Sequence, residues 1–398
     1  MRRYTALLLI AVCFGVTAPS NAQVAVYGET VYTMDGDPID NGVIVIEDGR
    51  ISAVGREGRV RVPSGATVYR GAVVTPGLID AHATVGLTGI TNQAQDQDVQ
   101  ENSNAFQPEL RAMDAYNGRD PLVGFLAGLG ITTVNTGPAP TALSGGQTMI
   151  VSTGASTVQE GLIKAPAMVS VTLGNISGAY KSPGTRAKIV AAFREAMLEA
   201  QAYTAKRENG GAATLRGEIL ADMRSGAIPI LITAHKAHDI LTAIRLQAEF
   251  GFKMILDGAA EAYLVLDEIK ASGVPVIIHP PMIRTNGAAE NAAFSTAAQI
   301  HAAGIPFAFQ SSYEAYVPKT RVVLFEAAIA AANGLDREAT LEALTIGAAN
   351  ILGISDTHGK IAVGRAADLV VFDGDPLEYT THACTVFAAG ALVSDTCN

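Results

Sequence analysis

Alternating apolar and polar positions predict two groups of short β-strands, one towards each end of the chain. Residues 24–75 contain three alternating runs separated by Asp-Gly and Asn-Gly turn signals, and residues 361–393 repeat this pattern. We therefore expect residues 23–75 and 355–398 to form one small β-sandwich domain built from both chain ends.

Residues 76–354 show a different pattern, in which short apolar strands alternate with longer amphipathic helices. Apolar positions at 3.6-residue spacing predict helices over 185–207 and 237–251. Eight strand-helix units in a segment of this size predict an α/β fold with a (β/α)8, TIM-like barrel. The strands are predicted to end near His82, Asn135, Thr153, Leu173, Ala234, Leu256, Ile278 and Phe309.

Composition narrows the class of protein. The chain has 398 residues, of which 48% are hydrophobic, and this indicates a large folded protein rather than a disordered or fibrous one. Its 28 basic and 38 acidic residues give a net charge of −10, which disfavours nucleic acid or anionic lipid as a partner.

The first 22 residues have the features of a secretory signal peptide. Two arginines precede an apolar run from Ala6 to Val16, and small residues up to Ala22 follow. We expect cleavage after Ala22, a periplasmic or secreted protein, and no membrane span in the mature chain. Cleavage would leave 26 basic against 38 acidic residues, a net charge of −12. An uncleaved anchor helix and a lipoprotein modified at Cys13 are the alternatives.

Two cysteines remain after the predicted cleavage, Cys384 and Cys397. The segment between them is typical of a hairpin with its turn near Ala389-Gly390, which would bring the two residues nearly opposite each other. In an oxidising compartment a disulfide is expected, and two unpaired thiols are the alternative.

Two sequence stretches resemble the amidohydrolase superfamily, in its imidazolonepropionase-like branch. They are VVTPGLIDAH at 73–82 and LTIGAANILGISDTHGKIAVGRAADLVVFDGDPL at 344–377. The resemblance implies a metal-dependent hydrolase whose barrel binds one or two divalent metals at the carboxyl ends of its strands. Such a metal lowers the pKa of a bound water and needs three or more nitrogen or oxygen ligands.

Most ligand positions implied by this resemblance carry other residues. The first histidine is present as His82, close to Asp80, which is expected to hold the strand end by hydrogen bonds. The other positions carry small or neutral residues, and we expect them to leave an open polar cavity with no metal and no other cofactor. These positions are Thr84, Asn175, Thr233, Gly258 and Ser312, with Asp257 as a further pocket candidate.

Three histidines lie at predicted strand ends. His82, His235 and His279 provide an alternative, a relocated site for one divalent metal such as zinc with an open coordination position. Otherwise His235 would be a hydrogen-bonded packing residue, and His279, before Pro280-Pro281, would contact backbone carbonyls in a rigid turn.

Two functional hypotheses follow. The first is an exported superfamily protein without a metal, which binds a ligand or serves as the partner subunit of a catalytically intact paralogue. It would form a homo-oligomer or a hetero-oligomer with that paralogue. The second is an active hydrolase of non-peptide or dipeptide amide C–N bonds that uses the relocated mononuclear site.

Overall fold

The computed structural model describes residues 23–90, 93–174, 176, 182–313 and 322–398. The predicted signal peptide and Asn175 lie outside these residues. Within the described part, no helix combines the length and the apolar character needed to cross a bilayer.

The described residues form strands and helices that follow the predicted division of the chain. The strands are β1 (Val24–Val31), β2 (Ile39–Glu47), β3 (Arg50–Arg56), β4 (Thr67–Pro76), β5 (Leu78–Ala83), β6 (Ile131–Thr136), β7 (Gly146–Gln147), β8 (Met149–Ser152), β9 (Leu162–Lys164), β10 (Val169–Thr172), β11 (Ile230–Ala234), β12 (Met254–Gly258), β13 (Val276–Ile278), β14 (Phe307–Ala308), β15 (Leu369–Phe372), β16 (Ala383–Ala388) and β17 (Ala391–Ser394). The helices are α1 (Pro121–Gly128), α2 (Val158–Gly161), α3 (Arg186–Glu208), α4 (Leu215–Ser225), α5 (Ala237–Phe250), α6 (Leu266–Ser272), α7 (Thr296–Ala302), α8 (Val323–Ala332), α9 (Arg337–Leu344) and α10 (Ile346–Leu352).

Strands from both chain ends form one sheet with the order β17-β16-β15-β4-β1-β2-β3. β4 connects the two halves because it pairs parallel to β1 on one side and antiparallel to β15 on the other. A single apolar cluster includes Ile44 and Val74 from the first half and Leu369 and Phe387 from the second. The expected β-sandwich is therefore a single seven-stranded hydrogen-bonded ladder, because β4 extends one ladder instead of ending a separate sheet.

The last hairpin joins β16 to β17 through Ala389 and Gly390, which have φ angles of 49° and 79°. Two consecutive positive φ angles are typical of the tight turn that matches the twist of paired strands. A disulfide connects Cys384 to Cys397 across this hairpin.

The middle of the chain is barrel-like. β10 to β14 form a parallel array, and β5 pairs parallel to β6 in a neighbouring sheet. The two sheets remain separate ladders joined by individual hydrogen bonds. On one side Ala81 N donates to Phe309 O (3.1 Å), and on the other Thr148 N donates to Met168 O (2.8 Å). This mixed α/β arrangement is consistent with a TIM-barrel-like fold.

The third strand of the barrel, β8, departs from the predicted pattern of eight parallel strand-helix units. β8 runs antiparallel to β6, and β7, which continues into β8 through Thr148, runs antiparallel to β10. The connection from β6 contains no α-helix, because Pro138 and Pro140 interrupt residues 137–145. The predicted eight strand-helix units are therefore wrong at this position, although the eight predicted strand ends lie within two residues of observed ones.

Candidate functional site

A buried polar layer lies at the carboxyl ends of the barrel strands. Thr233, Asp257 and Gln310 each follow by two positions an apolar residue of one inner cluster, namely Leu231, Ile255 and Ala308. Because side chains alternate along a strand, the three polar residues face the same way as that cluster. The polar layer therefore lies directly above the apolar cluster that contains Leu231, Ile255 and Ala308.

Asp257 is the centre of this layer, and its side chain accepts hydrogen bonds from three neighbours. Thr233 Oγ1 lies 2.5 Å from Asp257 Oδ2, Gln310 Nε2 lies 2.7 Å from Oδ1, and His82 Nδ1 lies 3.0 Å from Oδ1. Gln310 Nε2 also donates to the carbonyl oxygen of Ile277 at 3.1 Å. Asp257 is 1% exposed, so these contacts take the place of water around its carboxylate. We call these four side chains, His82, Thr233, Asp257 and Gln310, the Asp257 network.

Within the network, His82 carries a positive charge and Asp257 carries a negative charge. Burial alone would raise the pKa of Asp257, but the charge of His82 and the hydrogen bonds from His82 and Thr233 hold this pKa below its usual range. Burial alone would lower the pKa of His82, but the carboxylates of Asp257 and Asp80 outweigh burial and raise this pKa. The favoured state is therefore a buried imidazolium–carboxylate pair.

Asp80 supports the junction between β5 and the segment after β14. Its Oδ1 accepts hydrogen bonds from Ser311 N (3.0 Å) and His82 N (3.3 Å). Burial raises the pKa of Asp80 to about 7, against the lowering effect of these bonds. Ser312 extends the same junction, because its backbone N donates to the carbonyl oxygen of His82 at 3.0 Å.

His235 lies against Gly258, at the position where the resemblance implies a histidine. A Cβ added to Gly258 would lie 2.6 Å from His235 Cε1 and 3.0 Å from Nδ1, so the imidazole fills the space that a side chain at 258 would need. Gly258 also has φ +79°, a conformation that residues with a Cβ rarely adopt. Both features favour glycine at this position.

We predict that Gly258→Ala lowers the free energy of unfolding by about 2–3 kcal/mol, from the backbone strain and the contact with His235 together. Gly251→Ala is the matched control, because Gly251 has φ +74° with no atom within 4 Å of an added Cβ. This control should lose only about 1 kcal/mol. Urea denaturation of both variants and of Gly258→Ala combined with His235→Ala separates the two contributions. Equal losses at Gly258 and Gly251 would contradict the prediction.

His279 has both ring nitrogens engaged. Nδ1 lies 2.9 Å from the carbonyl oxygen of Pro280, and Nε2 lies 3.2 Å from Thr296 Oγ1. Burial lowers the pKa of His279 to about 4, so the ring is neutral near pH 7. This is the turn-stabilising arrangement rather than that of an open ligand.

The remaining candidates are buried or lie outside the described residues. Thr84 is 2% exposed and follows β5, whereas Asn175 is not among the residues that the structure describes. The small polar replacements were expected to line an open cavity, but Thr233 is instead bonded to Asp257 and 3% exposed. That expectation was wrong at Thr233, because a neighbouring carboxylate was available to its hydroxyl.

Sequence reasoning missed Gln310 and Asn135. Asn135 is fully buried on β6 and donates from Nδ2 to the carbonyl oxygen of Ala81 at 2.9 Å. Asn135 lies near the carboxyl end of β6, and Gln310 lies two residues after β14. A polar residue at such a position is a usable signal, because polar side chains pointing into a barrel require partners there.

The described residues of the barrel do not supply a three-residue ligand set for a catalytic metal. In the described part of the barrel, no three ligand atoms of histidine, cysteine, aspartate or glutamate lie within 4.8 Å of one another. His82, His235 and His279 are therefore not brought together as a three-histidine ligand set. Two buried ring nitrogens, His82 Nε2 and His235 Nδ1, have no hydrogen-bond partner among the residues that the structure describes. Two separate nitrogens do not make the three-ligand set of a catalytic zinc site.

A cavity of about 550 Å³ lies between the segments that follow β5 and β6. Its polar lining includes Asp98, Glu101, Glu109 and Asp114, and no residue of the Asp257 network contributes to it. Its one arginine, Arg111, is paired with Asp114 at 2.8 Å. The cavity and the network are therefore two distinct features of the barrel mouth.

Comparison with known proteins identifies the family. The model described as "Amidohydrolase family" matches residues 302–387. Amidohydrolase tasK of Hapsidospora irregularis is 24% identical over 89% of this chain and 40% of its own length. The 5′-deoxyadenosine deaminase of Methanosarcina acetivorans is 31% identical over 24% of each chain. The chain thus spans well under half of either curated relative.

A solved structure matches nearly the whole chain. The crystal structure of an amidohydrolase from Thermotoga maritima superimposes with a TM-score of 0.86 at 27% sequence identity. The match covers 94% of this chain and all of that one. With the family model and the curated relatives, this likeness places the chain in the amidohydrolase superfamily.

Proposed function

We propose that this protein is an exported, metal-free member of the superfamily that binds a small ligand at the barrel mouth instead of hydrolysing it. The observation that carries the proposal is the set of protein donors around the Asp257 carboxylate. Its oxygens accept bonds from Thr233, Gln310 and His82. Protein donors therefore take three of about four lone-pair sites of this carboxylate, which leaves little of it for a cation.

Charge supports the same proposal. A hydrolytic metal site concentrates positive charge beside a water so that the water ionises near neutral pH. Here the positive charge next to Asp257 belongs to the His82 ring, and burial of both residues excludes bulk water. The pair is neutral overall, so it leaves no excess charge to activate a nucleophile.

The binding role rests on the cavity. Its volume of about 550 Å³ lies in the range of small-molecule sites, which is about 300–1,000 Å³. Pairing with a catalytically intact paralogue would add a second role to this one, as the partner subunit of a hetero-oligomer. Co-purification with such a paralogue is the direct test of that pairing.

Metal analysis combined with activity measurements tests the proposal. Purified protein with its disulfide intact, after incubation with zinc and removal of unbound ion, is expected to hold no stoichiometric metal and to leave dipeptide, hydantoin and lactam substrates intact. His82→Ala and the exposed-residue control His238→Ala should give the same metal content as the unsubstituted protein. Near-stoichiometric metal that is lost in His82→Ala but kept in His238→Ala would contradict the proposal.

An active hydrolase is the second candidate, and the unpartnered ring nitrogens of His82 and His235 favour it. It requires ligands beyond those two nitrogens. Turnover of a C–N substrate that disappears in both His82→Ala and His235→Ala, together with bound metal, would support this candidate over the first.

A further inference from the structure

Four residues with metal-binding side chains meet at one end of the terminal sheet, and none of them belongs to the Asp257 network. Phe372, the last residue of β15, pairs with Ala383, the first residue of β16, so that Asp373 and His382 lie opposite each other. Asp373 N donates to the carbonyl oxygen of His382 at 3.2 Å. The disulfide between Cys384 and Cys397 lies at the same end. These four side chains therefore come from three separate segments of the chain and lie together at one end of the terminal sheet.

Three of the side chains are close enough to share an ion. A carboxylate oxygen of Asp373 and the sulfur atoms of Cys384 and Cys397 all lie within 4.8 Å of one another. Ligand atoms of a tetrahedral zinc ion with bonds of about 2.0–2.3 Å are separated by about 3.3–3.8 Å. After reduction the two sulfur atoms must move apart to about 3.8 Å, while the carboxylate oxygen of Asp373 lies within 4.8 Å of both.

His382 holds the carboxylate in position. Its backbone N donates to Asp373 Oδ1 at 2.7 Å, and its ring Nδ1 lies 2.9 Å from Oδ2. A histidine that hydrogen-bonds a carboxylate ligand fixes the direction of that carboxylate, which is the usual arrangement behind metal ligands. His382 is half exposed, with 50% of its side chain accessible, so its ring has room to turn.

Solvent reaches the cluster. Asp373 and Cys397 are exposed and Cys384 is partly buried. Asp373 also borders a cleft of about 400 Å³ together with Tyr27 and Arg70. Both a small thiol reductant and a hydrated cation have a path to these atoms.

We propose that Cys384, Cys397 and Asp373 form a binding site for a thiophilic divalent metal, best matched to zinc, that exists only when the disulfide is reduced. Two thiolates and one carboxylate make a donor set that suits zinc, and water or the ring of His382 completes four-coordination. The site is independent of the barrel and of the function proposed for it. In an oxidising compartment the disulfide form dominates. Metal binding at this site therefore requires that the disulfide between Cys384 and Cys397 has been reduced.

The chemistry balances with a dithiol as reductant. One thiolate of the reductant attacks a sulfur of the disulfide, and its second thiolate releases the mixed disulfide. The products are two cysteine thiols and one cyclic disulfide of the reductant, a transfer of two electrons and two protons. Metal binding then displaces both thiol protons into solvent, and the cation takes their place.

Cobalt titration tests the proposal, because thiolate ligation of cobalt gives a charge-transfer absorption that oxygen and nitrogen ligands do not. The full chain is titrated with cobalt before and after reduction by a dithiol, and bound cobalt is then displaced with zinc. We expect one equivalent with thiolate absorption in the reduced chain and none in the disulfide form. No absorption after reduction, or equal binding in both forms, would overturn the proposal.

Matched variants identify the ligands. Cys384→Ser combined with Cys397→Ser should abolish the absorption. Asp373→Asn should weaken zinc binding at least about tenfold, whereas Asp395→Asn, an exposed acid on the same hairpin, should leave affinity unchanged. His382→Ala is a second variant that weakens binding through the position of the carboxylate. Equal affinity of Asp373→Asn and Asp395→Asn would remove Asp373 from the site and overturn the three-ligand proposal.

Discussion

Asp257→Ala is expected to lower the free energy of unfolding by about 3–5 kcal/mol, the usual loss when one member of a buried ion pair is removed. The substitution leaves the His82 imidazolium without its counter-ion at a position that is 1% exposed. It also removes the acceptor of the Thr233 hydroxyl and one acceptor of Gln310 Nε2. Each buried donor then loses the partner that replaced its water.

Reversible urea denaturation measures this loss. Asp37→Ala is the control, because Asp37 is an exposed acid in the terminal domain, and its replacement should change the free energy by less than about 0.5 kcal/mol. A loss of under about 1 kcal/mol for Asp257→Ala would show that the network contributes little to stability. The proposal that protein donors, and not a cation, hold the Asp257 carboxylate would then lose its main support.

Asp80 should contribute stability that is lost as the pH rises from about 4 to about 7, whereas His279, whose pKa burial lowers to about 4, contributes in the opposite direction. The pKa of Asp80 is raised by burial from the usual 3.8 to about 7, so between these values the folded protein keeps a proton that the unfolded chain releases. A group that binds more protons in the folded state loses stability as pH increases. A difference of about three pKa units corresponds to about 4 kcal/mol at pH 7. The raised pKa of His82 acts in the same direction near neutral pH.

Asp80→Asn removes the titrating group and keeps an oxygen that can accept from the backbone N of Ser311. Its unfolding free energy, measured between pH 4 and pH 7, should fall less with rising pH than that of the unsubstituted protein. Asp37→Asn should retain the original slope. If Asp80→Asn showed the same slope as Asp37→Asn, the buried carboxyl of Asp80 would not be its source.

The sequence predicts the order of the elements well, because hydrophobic periodicity is a local property. Helix α3 begins after Thr185, whose hydroxyl accepts a hydrogen bond from Lys188 N, and α5 ends at Phe250, just before Gly251 with its positive φ. Both ends lie within two residues of the predicted ones. The direction of the third barrel strand is not local. It depends on which neighbours β8 pairs with, and an alternating pattern is the same in either direction.

The candidate site, too, can be predicted from the sequence only in part. The residues that depart from the family pattern, such as Thr233 and Gly258, can be read from the sequence. Their partners cannot, because the contact between Thr233 and Asp257 depends on the register of β11 against β12. Gln310 becomes important only because β14 places it beside Asp257. The position of His235 over Gly258 likewise depends on a backbone conformation that no side-chain pattern reveals.

The terminal sheet also constrains how the protein is made. Pro76 and Leu369 are neighbours in the ladder but 293 positions apart in the chain. During synthesis, β4 leaves the ribosome long before its partner β15 exists, so one edge of β4 stays unpaired while the barrel segment is being made. An unpaired edge can associate with another chain. A chaperone that covers newly made strands is therefore most useful to this protein before its last 30 residues emerge.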